Sequence, residues 1–100
     1  MEPLVNEFHS SIVIWCSKMR YSAQLRAARG LVGWSQEDLA KASGVALSTV
    51  RRMESNIGRL RSTTENAWKV QQALEDAGVV FIDENGGGPG VRLKDRVEEA

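Results

Sequence analysis

The stretch Trp34-Ser35-Gln36-Glu37-Asp38-Leu39-Ala40-Lys41-Ala42-Ser43-Gly44-Val45-Ala46-Leu47-Ser48-Thr49-Val50-Arg51-Arg52-Met53-Glu54 decides the fold of this chain. It reads as a helix, a tight glycine turn and a second helix with a basic face. Ser35 is placed to accept a hydrogen bond from the free N–H groups of the opening turn. Asp38, three residues on, reaches back in the manner of a capping box, where Glu or Gln is the usual residue. Glu37 and Asp38 also sit where the helix dipole favours negative charge. Leu39 and Ala40 face inward, Lys41 faces water, and Gly44 supplies the left-handed conformation that ends the helix. Val45 plugs the gap between the helices, and Leu47, Val50, Met53 and Glu54 recur at helical spacing in the second. Small Ala40 lets the two helices approach closely.

The segment resembles the helix-turn-helix of phage repressor and Cro proteins, in the bacterial group called the xenobiotic-response-element (XRE) family. The likeness runs from about Ser22 to Ala77 and centres on Trp-Ser-Gln-Glu-Asp-Leu-Ala-x-x-Ser-Gly-Val, residues 34 to 45. It implies a mainly α, compact, four- to five-helix lambda-repressor-like DNA-binding domain. In that family Gln36 opens the first helix of the pair and contacts a DNA phosphate, while the start of the second helix enters the major groove. Matching positions make Ala46, Leu47, Ser48, Thr49, Arg51 and Arg52 the candidates for base or backbone contacts. Arg51 and Arg52 suit guanine or phosphate, Ser48 suits hydrogen-bonded readout, and Leu47 or Ala46 suits a thymine methyl. The resemblance further implies a structural ion pair between Arg29, on the preceding helix, and Glu54.

The overall charge balance conceals a division. Thirteen Lys and Arg match thirteen Asp and Glu. Residues 18 to 69, however, hold ten cations against four acids, a net of plus six, and residues 70 to 100 hold three against seven, a net of minus four. The basic half therefore coincides with the helix-turn-helix. Arg51, Arg52, Arg59 and Arg61 are its densest cluster, and Ser62, Thr63 and Thr64 add hydroxyl groups suited to phosphate oxygens.

Outside the motif, a helix from about Ser22 to Val32 carries Leu25, Ala28 and Leu31 on one side. Another, from about Thr64 to Ala77, carries Ala67, Val70, Leu74 and Ala77, and Gly78 closes it. Trp34 and Trp68 read as core aromatics at helix packing points. After Gly78 the pattern changes: Val79-Val80-Phe81-Ile82, the turn signal Asn85-Gly86 and the alternating Val91-Arg92-Leu93-Lys94 predict a C-terminal β-hairpin. The loop from Gly86 to Gly90 lacks the Lys-Ser/Thr pair and following helix that a phosphate-binding loop needs. A lone hairpin is marginal in water, so it must pack on the helices or pair with another chain. The expected organisation is an N-terminal extension over residues 1–20, the helix-turn-helix domain over 21–78 and a hairpin tail over 79–100 that serves as a dimerisation element.

Residues 1–20 admit two readings. Leu4, Val5, Phe8, Ile12, Trp15 and Met19 fall along one helical face, whereas Ile12-Val13-Ile14-Trp15-Cys16 reads as a short strand. The apolar run is too short to span a membrane and has no positive charge before it, so neither a membrane span nor a signal peptide is expected. Met19, just before the family likeness begins, is a candidate translation start. One Cys and one His are too few for a Cys/His zinc site and exclude an internal disulfide. A Cys16 and His9 nucleophile pair is far less favoured than simply packed or exposed side chains. The chain is thus expected to be a cytoplasmic, non-enzymatic regulator with no cofactor and no metal, acting as a homodimer on double-stranded DNA. The alternative is an antitoxin or other protein-interaction module that uses the same fold to hold a partner such as a toxin.

Overall fold

Local capping and turn chemistry set the element boundaries in the computed structural model, which describes residues 18–84 and 86–95. In chain order these are helices α1 (Ser22–Val32), α2 (Gln36–Ser43), α3 (Leu47–Ser55) and α4 (Thr64–Asp76), followed by strands β1 (Val79–Ile82) and β2 (Gly90–Leu93). The readings of residues 1–17, with His9 and Cys16, lie outside the described residues, as does Asn85 of the expected turn.

Ser35 caps α2 as its sequence requires. Its Oγ accepts from the Asp38 N–H at 3.0 Å, and Asp38 Oδ2 accepts from the Ser35 N–H at 2.9 Å. Gly33 and Gly44 end α1 and α2 at φ +71° and +76°, where any Cβ is strained, and the Gly44 N–H donates to the Ala40 carbonyl at 2.9 Å. Hydrogen bonds from the Ser35 N–H and hydroxyl hold the Asp38 carboxyl below its ordinary pKa. A depressed carboxylate pKa contributes stability above the unfolded value, and that contribution is lost as pH falls through the folded value. Asp38→Asn is therefore expected to melt below the parent at neutral pH and to converge with it in acid. A gap in melting temperature that stays constant with pH would show that ionisation contributes nothing here.

Thr63 caps α4 through Oγ1, which accepts from the Asn66 N–H at 3.1 Å. Thr63→Ala is expected to cost about 1 kcal/mol in urea denaturation.

The core draws buried residues from all four helices and from β1, with Val91 and Leu93 of β2 partly buried against it. α1 supplies Leu25 and Ala28, α2 supplies Leu39, and α3 supplies Val50 and Met53. α4 adds Val70, Ala73 and Leu74, and the hairpin adds Val79 and Phe81; Met19 and Val45 enter from the connecting segments. Two expectations change. Leu31 is 40 % exposed and Val32 packs on the core in its place. Spacings of three and four residues both follow Ala28, and α1 is rotated to favour the second. Ala77 is exposed because α4 ends at Asp76 and Ala77 is its cap rather than part of the inward stripe. Trp34 is half-buried against the core, while Trp68 is half-buried outside the central cluster.

The hairpin is antiparallel, with Val79 opposite Leu93 and Ile82 opposite Gly90. It packs on α1 and α4, which supplies the support an isolated hairpin lacks. Buried Gln24 holds that junction together. Its Oε1 accepts from the N–H groups of Arg20 at 2.8 Å and Tyr21 at 3.0 Å, and its Nε2 donates to the carbonyls of Lys18 at 2.9 Å and Gly90 at 3.2 Å. The segment before α1 also pairs with the loop after α3. Ser22 N–H donates to the Gly58 carbonyl at 3.0 Å and Leu60 N–H to the Arg20 carbonyl at 2.8 Å, across a bridge between Tyr21 and Arg59.

Candidate nucleic-acid interface

Helix α3 has two chemically distinct faces. Val50, Met53 and Glu54 are buried on one. Ser48, Arg51, Arg52 and Ser55 are exposed on the other, with Leu47 and Thr49 half-buried at its edges and Ala46 exposed before the first turn. Spacings of three and four residues put Ser48, Arg51, Arg52 and Ser55 in one stripe. No side chain caps the start of α3. The first-turn N–H groups and the helix dipole there favour a negative charge. Arg52 Nη2 lies 3.5 Å from Thr49 Oγ1, which holds the guanidinium only lightly.

The buried face is locked to two neighbouring helices at once. Arg29 Nε donates to Glu54 Oε2 at 2.7 Å and Arg29 Nη2 to Glu54 Oε1 at 3.0 Å, a two-point pairing. The Glu54 side chain is 4 % exposed and that of Arg29 24 %. The hydrogen bond that Arg29 donates to Glu54 raises the Arg29 pKa above its ordinary value, against the opposing effect of burial. Gln36 Nε2 donates to Glu54 Oε1 at 3.1 Å, and Arg29 Nη1 donates to the Trp34 carbonyl at 2.9 Å. The carboxylate therefore ties α1 and α2 to α3. Gln36, the expected phosphate contact, thus has its side-chain amide engaged at Glu54.

Two residues that sequence reasoning missed secure the same, C-terminal end of α3. Ser22 Oγ donates to the Met53 carbonyl at 2.8 Å, and Arg26 Nη1 donates to the carbonyls of Glu54 and Asn56. These satisfy carbonyls that a helix C-terminus leaves open. The only sequence signal was a Ser and an Arg on α1 at positions that face α3, and that requires the packing to be known.

Arg59 and Arg61 follow α3 in the loop and are both exposed. Arg59 lies over the Tyr21 ring, 6.0 Å from its centroid. Ser62 donates to the Thr63 carbonyl at 3.1 Å, and Thr63 serves as the cap of α4, so these two hydroxyls have local work. The arrangement brings Ala46, Leu47, Ser48, Thr49, Arg51 and Arg52 together on α3. Gln36 and Arg29 lie on its buried side, at Glu54.

Among the described residues no helix is long and apolar enough to cross a membrane. A search of curated proteins finds no match to the chain. Residues 25–75 match the helix-turn-helix family, a span that contains the glycine turn, the exposed face of α3 and the Arg29–Glu54 lock. The protein therefore belongs to the helix-turn-helix family, of the DNA-binding XRE regulator type.

Proposed function

We propose that the protein is a sequence-specific transcriptional regulator, a repressor that binds double-stranded DNA as a homodimer and reads the major groove with residues 46–55. The observation that carries this reading is the division of α3. One face is immobilised through Glu54, and the opposite face offers Ser48, Arg51 and Arg52 to solvent. A rigid helix with two arginines and a hydroxyl on its free face suits base-edge readout. Arg59, Arg61 and Gln36 supply backbone contacts that set register. A monomer has one such helix, and a two-fold pair places two of them about 34 Å apart on a pseudo-palindrome.

The test is fluorescence-anisotropy binding to the DNA upstream of the protein's own gene, against scrambled DNA of equal length, at two salt concentrations. Preference for the upstream DNA that survives the higher salt supports the proposal. Equal binding abolished by salt leaves only the nonspecific electrostatic contribution, and no binding to either duplex turns attention to a protein partner. Arg52→Ala is expected to lose about 1 to 3 kcal/mol of binding and to relax sequence preference as a base contact. A uniform loss on both duplexes would assign Arg52 to a phosphate.

A further inference from the structure

Ile57 is 98 % exposed, an unusual position for a β-branched apolar side chain next to a well-formed core. The loop that carries it is not loose. Asn56 is held through its carbonyl by Arg26, Gly58 accepts from the Ser22 N–H at 3.0 Å, and Leu60 donates to the Arg20 carbonyl at 2.8 Å. Ile57 thus stands on a fixed knuckle two residues beyond Ser55, the last member of the exposed stripe of α3. Exposed arginines flank it on both sides, Arg51 and Arg52 before and Arg59 and Arg61 after.

We propose that Ile57 is a DNA-contacting residue that packs on the deoxyribose wall of the groove entered by α3. This rests on the DNA-binding reading above. Charge decides between candidate partners. A second copy docked across a two-fold axis at Ile57 would set its own arginines against these four, an arrangement that repels. DNA offers the complement: phosphates for the arginines and, between them, the apolar faces of sugars for the isoleucine. A methyl-rich side chain on sugars carries no sequence information and releases no counterions, so it strengthens binding without adding to the salt dependence.

The test compares the full chain with Ile57→Ser and Ile57→Leu on a short mixed-sequence duplex, with affinity measured over a series of salt concentrations. Ile57→Ser is expected to bind about tenfold more weakly, with an unchanged slope of log K against log salt, and Ile57→Leu is expected to restore affinity. Melting temperature and sedimentation of the free protein should be the same for all three, because the side chain touches little of its own fold. Equal affinity of Ile57→Ser and the parent would overturn the proposal. So would a weaker affinity that follows a shifted monomer–dimer equilibrium, since that outcome assigns Ile57 to a subunit contact. Failure of the parent itself to bind any duplex would instead sink the DNA-binding reading on which the proposal stands.

Discussion

Replacing Arg29 by alanine is expected to destabilise the protein by about 3 to 5 kcal/mol, as measured by urea denaturation at neutral pH. The reason is the partner left behind. Glu54 is almost entirely buried, and without Arg29 its carboxylate keeps only the single hydrogen bond from Gln36 among those described here. Forming such a pair gains little, because both ions lose water, whereas stranding one of them is costly. Glu54→Gln should be milder, since it leaves Arg29, about a quarter exposed, able to turn toward solvent. A loss below about 1 kcal/mol for Arg29→Ala would place the pair among ordinary surface bridges.

Leu39→Ala is expected to cost about 2 to 5 kcal/mol. Leu39 is the single fully buried residue of α2, so its side chain carries most of the attachment of that helix to the core. Ala40 adds only a partly buried methyl group. The loss approaches the entire stability of a small domain, and circular dichroism should show a lowered melting temperature with part of the chain unfolded at room temperature. Arg52→Ala offers the contrast: an exposed site away from caps and core should leave melting within about 0.5 kcal/mol of the parent while weakening binding. If Leu39→Ala melted like the parent, α2 would be held by its cap and by Gln36 rather than by apolar burial.

The helix-turn-helix was legible because its signals are local. Ser35, Asp38 and Gly44 act within four residues of themselves, and the hairpin follows from β-forming runs on either side of a glycine-rich loop. The ion pair of Arg29 with Glu54 joins residues far apart in sequence, and it was anticipated only through a family likeness. What stayed hidden depended on how the elements pack. Leu31 and Val32 are equally well spaced from Ala28, and only the roll of α1 against the core selects Val32. Gln24 and Ser22 read as ordinary polar residues at a helix start, yet both are buried and bond to segments distant in sequence. Ile57 is apolar yet stands in solvent, and no local pattern announces that.

The attachments of α3 lie on α1 and α2 and use Ser22, Arg26, Arg29 and Gln36, none of which belongs to the outward stripe. The anchored face and the outward stripe are therefore separable parts of one helix. Residues 47, 48, 51 and 52 can be rewritten as a cassette while Val50, Met53 and Glu54 keep the helix in its place. If the outward stripe reads DNA as proposed, a few exchanges there would change the sequence preferred without refolding the scaffold.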